Sequence, residues 1–370
     1  MTEGLLNSIF HDRTAGDRRR DLEAFRNQLA DAVFRDIGQV SGRSLQAANL
    51  PLFRRTADGL QQMVRFRLLG PGQADRRLLL WLDGTVAPGP FEFKTDGFTP
   101  AVDVAVAEVN APQTFQFRVA GESGDVLSRG EVVVRPQRKW SVSLVHHTHL
   151  DVGYTDRQEV VADNHLQYLD SVLELVDHTS SWEDDVRFRW NIEVSWPLER
   201  WFERRNEHDR RRMLEAINAG RVGVGAMSLN MHTEACAVEE LYEMVRFAVE
   251  LRSTHGVPIT SAMQTDVPGG VTGLVEVLSD SGVQYLSVAH NFAGRSVPYL
   301  IGGERLERPF YWKAPSGKRV LVWFTDTLHG NAYMEGNILG LSDSFSVAQD
   351  SLPCYLAALA ERPYPFDSGI

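Results

Sequence analysis

SVSLVHHTHLDVGYTD, residues 141–156, is the stretch on which the reading of the fold turns. Ser141 to Val145 has the apolar alternation of a strand, and His146, His147, His149 and Asp151 follow directly at its end. Nitrogen and oxygen donors of this kind suit zinc, and a catalytic zinc site keeps one position open for substrate. The plainer alternative is that these histidines cap a strand and satisfy backbone groups.

Outward from this stretch toward the C-terminus, the texture is apolar strand, polar loop and long helix, repeated. Candidate strands are 140–146, 186–193, 222–227, 258–264, 284–289 and 319–324. Between them fall helical patterns at 156–176, with Thr155 and Gln158 spaced as a capping box, and at 237–251, with Leu241, Met244, Val245, Ala248 and Leu251 on one face. Strands alternating with helices predict a mostly parallel sheet with right-handed crossovers, here an α/β fold of (β/α) barrel type with about seven strands. In that architecture chemistry gathers at the carboxyl ends of strands. Glu193, with the aromatic Trp196 as a platform for a sugar ring, closes the second strand. Asn230, His232 and Glu234 follow the third, Asp266 opens the loop DVPGG (266–270), and His290 and Asn291 follow a later strand.

Toward the N-terminus, Leu22, Phe25, Leu29, Val33 and Ile37 recur at helical spacing before Gly38. The period then becomes two: Val64, Phe66 and Leu68 alternate with Arg65 and Arg67, and Phe115, Phe117 and Val119 with Gln116 and Arg118. Short intervals between turn signals predict a β-sandwich whose arginines form a solvated outer face. The expected organisation is a helical lead segment (1–45), a β-sandwich-like domain (46–137) and the barrel domain (138–370).

With 370 residues, 43% of them hydrophobic and 24% charged, the chain is long enough for two cores. A formal net charge of -11 argues against nucleic acid, which needs a basic face. Cys236 and Cys354 form no metal-like pair or disulfide framework, so a reducing cytoplasm is the expected compartment. The first twenty residues lack the pattern of a secretory signal, and no stretch has the roughly 20 apolar residues of a membrane span. Oligomeric state is left open, homo-oligomers included.

At the strand-end residues the sequence resembles the amino-terminal catalytic domain of the α-mannosidases of glycoside hydrolase family 38, over roughly residues 139–324. HTHLDVGYTD (147–156) looks like the family's His-x-Asp-x-Gly-aromatic element. NIEVSWPLERWF (191–202), DVPGG followed by LVEVLSDSGVQYL (274–286), and RPFYWKAPSGKRVLVW (308–323) match in the same order. The resemblance implies a zinc-dependent retaining glycosidase acting on terminal α-mannosides or related glycosides in carbohydrate catabolism, with His149 and Asp151 as zinc ligands. It also implies an aspartate nucleophile after the third strand and a second carboxylic acid as proton donor. The chain departs from that pattern: no aspartate lies between Gly225 and Glu234, and a gapless alignment puts His232 at the nucleophile's place. The expected site therefore has Glu234 as nucleophile, Asp266 as acid, His232 as an additional metal ligand, and Glu193, Trp196 and Asn291 against a mannoside-like substrate. A further histidine ligand is implied beyond residue 324, so a chain ending at Ile370 reads as truncated.

Two rival readings differ in what they require. A metal-dependent amidohydrolase or deacetylase would rely on His147 with His149, a His-x-His at a first strand end. A catalytically inactive carbohydrate-binding relative would keep the metal and the aromatic platform but turn nothing over.

Overall fold

The computed structural model describes residues 15–71, 77–87, 89–93, 99–267, 270–290, 309–324, 336, 339–341, 344–361, 364–366 and 368–369. The chain forms two compact units, one made of residues 12–143 with 336–370 and the other centred on residues 144–335.

The first unit begins with helix α1 (Ala15–Val33). Strands β1 (Arg35–Val40), β2 (Arg43–Thr56), β3 (Gly59–Leu69), β4 (Leu78–Leu82), β5 (Phe91–Glu92), β6 (Ala101–Ala107), β7 (Gln113–Gly121) and β8 (Val126–Val134) follow, with a short β9 (Ser141–Val142). Among the described residues they pair as two four-stranded sheets, in the orders β1-β2-β3-β6 and β5-β4-β7-β8. Val64, Phe66, Val104 and Val106 from the first sheet and Leu80, Leu82, Phe117, Val119, Val132 and Val134 from the second meet in one core. Period-two alternation thus becomes a sandwich interior.

Two expectations for this unit change. The helix stops at Val33, and Ile37 and Gly38 lie in β1, because pairing with β2 and packing of Ile37 on the sandwich core outweigh the helical spacing. Of the arginines expected on a solvated face, Arg54, Arg55, Arg118 and Arg129 are exposed, but Arg65 and Arg67 are only 7% and 8% exposed. Arg65 pairs with Asp103 at 2.6 Å and Asp350 at 2.7 Å, while Arg67 bonds Asp31 and Gln46, each at 2.8 Å, and lies 4.0 Å over the Phe34 ring. Asp31 sits on α1 and Asp350 on the late helix Phe345–Ala360, so charges that would face water answer carboxylates from distant segments.

The second unit contains α2 (Gln158–His178), β10 (Trp190–Ile192), α3 (Trp196–Arg204), α4 (Glu207–Asn218), β11 (Val222–Val224), α5 (Val238–Glu243), α6 (Arg246–His255), β12 (Ser261–Val267), α7 (Thr272–Asp280), β13 (Tyr285–His290), β14 (Phe310–Lys313) and β15 (Arg319–Phe324). Neighbours run parallel in chain order. His147 bridges Asn191, β10 pairs β11, Gly225 bridges Ser261, β12 pairs β13 and β13 pairs β15, with β14 antiparallel at the end. This is the predicted alternating α/β order, but no closed barrel forms among the described residues. Helices bury Leu166, Leu173, Trp201, Met213, Leu241, Leu251 and Leu278 against Ile192, Val222, Val224, Leu286 and Val322. Trp201 is fully buried, and its indole N–H donates to Asp170 at 2.7 Å.

Several elements are shorter than predicted. Of 140–146 only β9 is strand, and it pairs with β16 (Ser368–Gly369) in the first unit, while Leu144 and Val145 stay exposed. The stretch 186–193 opens with a single helical turn, Asp184–Val186, before β10. Helix α2 starts after Arg157 with no side-chain cap, so the Thr155–Gln158 capping box does not form. The helix expected over 237–251 breaks into α5 and α6, because the Met244 carbonyl accepts from Ser228 N at 2.7 Å. The five residues expected on its apolar face are nevertheless all buried. The late helix α8 (Phe345–Ala360) belongs to the first unit. No helix among the described residues is long and apolar enough to cross a membrane.

Candidate metal centre

The strand ends of the second unit are held close by small residues. A Cβ at Gly225 would overlap the Glu193 carbonyl, and one at Gly223 the Asn191 side chain, so only glycine lets β11 lie this near β10. Glu193 emerges from β10 beside that contact and is 2% exposed.

A carboxylate so deeply buried is costly unless its oxygens are satisfied. Here Oε1 lies 3.0 Å from His149 Nδ1, and Oε2 accepts from Leu150 N at 3.0 Å and Asn230 Nδ2 at 3.1 Å. Burial pushes the Glu193 carboxyl up, but the His149 hydrogen bond and the charges of His149 and His147 hold it below its ordinary value. Burial likewise disfavours the charged His149 ring, while Glu193, Asp151 and Asp266 together carry its pKa above 6.5. Because Glu193 is an acceptor, it fixes the proton on Nδ1 of neutral His149 and leaves the Nε2 lone pair facing away.

That lone pair meets two carboxylates, Asp151 Oδ1 at 3.4 Å and Asp266 Oδ2 at 3.7 Å. His149, Asp151 and Asp266 are a group whose ligand atoms all lie within 4.8 Å of one another. Asp266 reaches this position from an irregular piece of backbone: its φ is 60°, and the β12–β13 register shifts between Thr265 and Val267. Such a bulge re-aims a side chain at a strand end.

The donor set fits a divalent ion such as zinc. Two donors about 2.1 Å from a tetrahedral ion stand about 3.4 Å apart, which is close to the separations found here and long for hydrogen bonds. The imidazole oriented by a buried carboxylate is the usual support for a metal-bound histidine.

The other expected site residues lie elsewhere. His147 is outside the ligand group, with Nδ1 3.9 Å from Glu193, whereas an amidohydrolase-type His-x-His would require it inside. His232 lies just before the turn Thr233–Ala235 and Glu234 within it; both are exposed, their side chains 3.9 Å apart. The buried residue of that turn is Thr233, whose hydroxyl accepts from Val271 N at 3.2 Å. His232 is thus no member of the ligand group, and Asp266 stands there in its stead. Glu193, expected against substrate, is buried and turned toward His149. Trp196 packs partly buried beside Leu150, Val161 and Val194, with Arg200 4.4 Å over its ring, so one face of the expected platform is covered. Asn291 lies outside the described residues. Asn230, which the sequence marks only as one of the polar groups after the third strand, joins Glu193 to the backbone of Thr265.

A parallel α/β unit that brings one histidine and two aspartates together from separate strand ends defines a candidate metal-dependent enzyme of the kind that works at the carboxyl edge of its sheet. Residues 139–350 match the model of the glycosyl hydrolases family 38 N-terminal domain, and the chain belongs to that family. No curated protein sequence matches it significantly. Similar solved structures include an alpha-mannosidase from Enterococcus faecalis V583, 14% identical with a TM-score of 0.45, covering 62% of this chain and 24% of that one. Another is a glycosyl hydrolase family 38 protein from Enterococcus faecalis, 13% identical with a TM-score of 0.37, covering 62% of this chain and 26% of that one. A 4-alpha-glucanotransferase from Thermococcus litoralis is 17% identical with a TM-score of 0.35, covering 49% and 27% of the two chains. The chain spans about a quarter of the length of each of these three structures.

Proposed function

We propose that this chain carries the metal centre of a retaining glycoside hydrolase of α-mannosidase type, with zinc as the ion and a terminal α-mannoside or related glycoside as substrate. The observation that carries the reading is the convergence of His149 Nε2, Asp151 and Asp266 at separations suited to one ion, within a member of glycosyl hydrolase family 38. In this reading the parallel strands are part of a (β/α) barrel.

His149, Asp151 and Asp266 hold the ion, which when bound supplies a Lewis acid for sugar hydroxyls. Glu193 keeps His149 in the tautomer with Nε2 free. A carboxylate beside a cation is ionised, so Asp266 acts as an anion and not as the neutral acid first assigned to it. It faces the positive charge that develops at the anomeric carbon and serves there as nucleophile. Proton transfer to the leaving oxygen then falls to a second carboxyl group. Glu234 is that group here, supported by the tie between its turn and Val271, close after Asp266 in sequence. A carbohydrate substrate also agrees with the net charge of -11, which disfavours polyanionic ligands.

Turnover of an aryl α-mannoside, followed by proton NMR of the first sugar released, tests the proposal. Chelator-sensitive release of the α-anomer is the expected result; no turnover with metal bound would leave a sugar-binding relative, and release of the β-anomer would overturn retention.

A further inference from the structure

The sharpest feature left unused by this scheme is Asn230, half-buried in the loop between β11 and the turn Thr233–Ala235. Its amide makes two hydrogen bonds to groups that cannot exchange roles. Nδ2 donates to Glu193 Oε2 at 3.1 Å, and a buried carboxylate held in its ionised form only accepts. Oδ1 accepts from Thr265 N at 2.9 Å, and a backbone N–H only donates. The orientation of the amide is thereby fixed by its partners.

Each partner is one step from a member of the metal group. Glu193 holds His149, and Thr265 is the residue before Asp266, at the register shift of β12. The backbone accounting explains why a side chain is needed there. Ser261 O accepts from Ala226 N, so in an extended strand Ser261, Met263 and Thr265 point their backbone groups toward the β11 side. The Gly225–Ser261 bridge is the last backbone pairing between these strands among the described residues, and Asn230 satisfies the Thr265 N–H beyond it. The same bond holds the backbone immediately before a non-glycine residue at positive φ.

We infer that Asn230 is a positioning residue that sets the distance between His149 and Asp266 by clamping Glu193 to the β12 bulge, and so tunes the affinity of the centre. This rests on the proposed metal site.

The test is titration of the purified metal-free chain with Zn2+, and with Co2+ as a spectroscopic probe, for wild type, Asn230→Ala and Asn230→Asp. Loss of a supporting hydrogen-bond partner of this kind raises the dissociation constant about 10–100-fold. That loss is expected in both variants, with a changed Co2+ visible spectrum and with the metal-free melting temperature within a few degrees of wild type. Asn230→Asp is nearly isosteric and puts an anion against Glu193, so it decides the matter should the alanine variant fail to fold. Wild-type affinity and spectrum in a folded variant overturn the inference alone. Absence of metal binding in the wild type overturns it together with the metal site.

Discussion

His149 Nδ1 and Glu193 Oε1 lie 3.0 Å apart, joining a half-exposed imidazole to a carboxylate that is 2% exposed. This bond decides which nitrogen of His149 is available, so the chemistry of the centre begins one residue behind its ligands. Glu193→Gln should expose that dependence. The glutamine can still accept from Nδ1–H, but its NH2 would face the two donors, Leu150 N and Asn230 Nδ2, that Oε2 now satisfies. Zinc affinity is expected to fall about 10–100-fold in a competition titration. Stability should drop by about 1–3 kcal/mol in urea unfolding of the metal-free chain.

Proton competition gives a second expectation. With its pKa raised above 6.5, metal-free His149 gains protons as pH falls from above that value, and a protonated ring is no ligand. Zinc affinity should therefore weaken already on the way from pH 8 to pH 6.5. The same group stabilises the metal-free fold below its unfolded pKa, and that contribution disappears as pH rises through the higher folded value. Glu193 acts in the opposite direction. Its folded pKa lies below 4.5, so its contribution is present above 4.5 and lost as pH falls through the lower folded value. Affinity that stays flat from pH 8 to 6 would contradict the place of His149 among the ligands.

Asp170 links α2 to Trp201 in α3 and to Arg205 just after it, accepting from Trp201 Nε1 at 2.7 Å and Arg205 Nη2 at 2.6 Å. The Arg205 pair is partly exposed to water and contributes little. The indole is fully buried, so Asp170→Ala strands its N–H at a cost of about 1–3 kcal/mol. Chemical denaturation of Asp170→Ala and Arg205→Ala checks this, the arginine change being expected to cost under about 1 kcal/mol.

In the first unit Arg65 makes the contrast between a buried and an exposed partner. Asp103→Ala should cost roughly 3–5 kcal/mol, because the guanidinium would stay buried without its two-point carboxylate. Asp350, with its side chain 75% exposed, should cost less than about 1 kcal/mol when changed to alanine. Thiol alkylation reports on the same packing: burial pushes Cys354 up to about 11, so at pH 8 it should react far more slowly than the partly exposed Cys236. Equal rates would show that the face of α8 carrying Cys354 is not buried.

Much of the fold was legible because local pattern and final environment agree. Val64, Phe66 and Leu68 alternate and point inward, and β13 and β15 are apolar runs that become central parallel strands. His149 and Asp151 were legible because the sequence clusters them at one strand end. What was not legible depended on distant segments. Arg65 and Arg67 read as surface residues until Asp103, Asp31 and Asp350 meet them, and the helix over 237–251 breaks because Ser228 takes the Met244 carbonyl. The place of Asp266 in the ligand group follows from a bulge at positive φ, which an aspartate in a loop does not announce. His232 has a ligand's residue type, yet it is exposed beside buried Thr233 and lies outside the group formed by His149, Asp151 and Asp266.

The most direct test of the central claim is the zinc content of wild type, His149→Ala, Asp151→Ala, Asp266→Ala, His147→Ala and His232→Ala after equilibration with the metal. The account predicts about one ion per chain in the wild type and in the His147 and His232 variants, and loss of the ion in the other three. Zinc retained without Asp266, or lost with His147 alone, would contradict it.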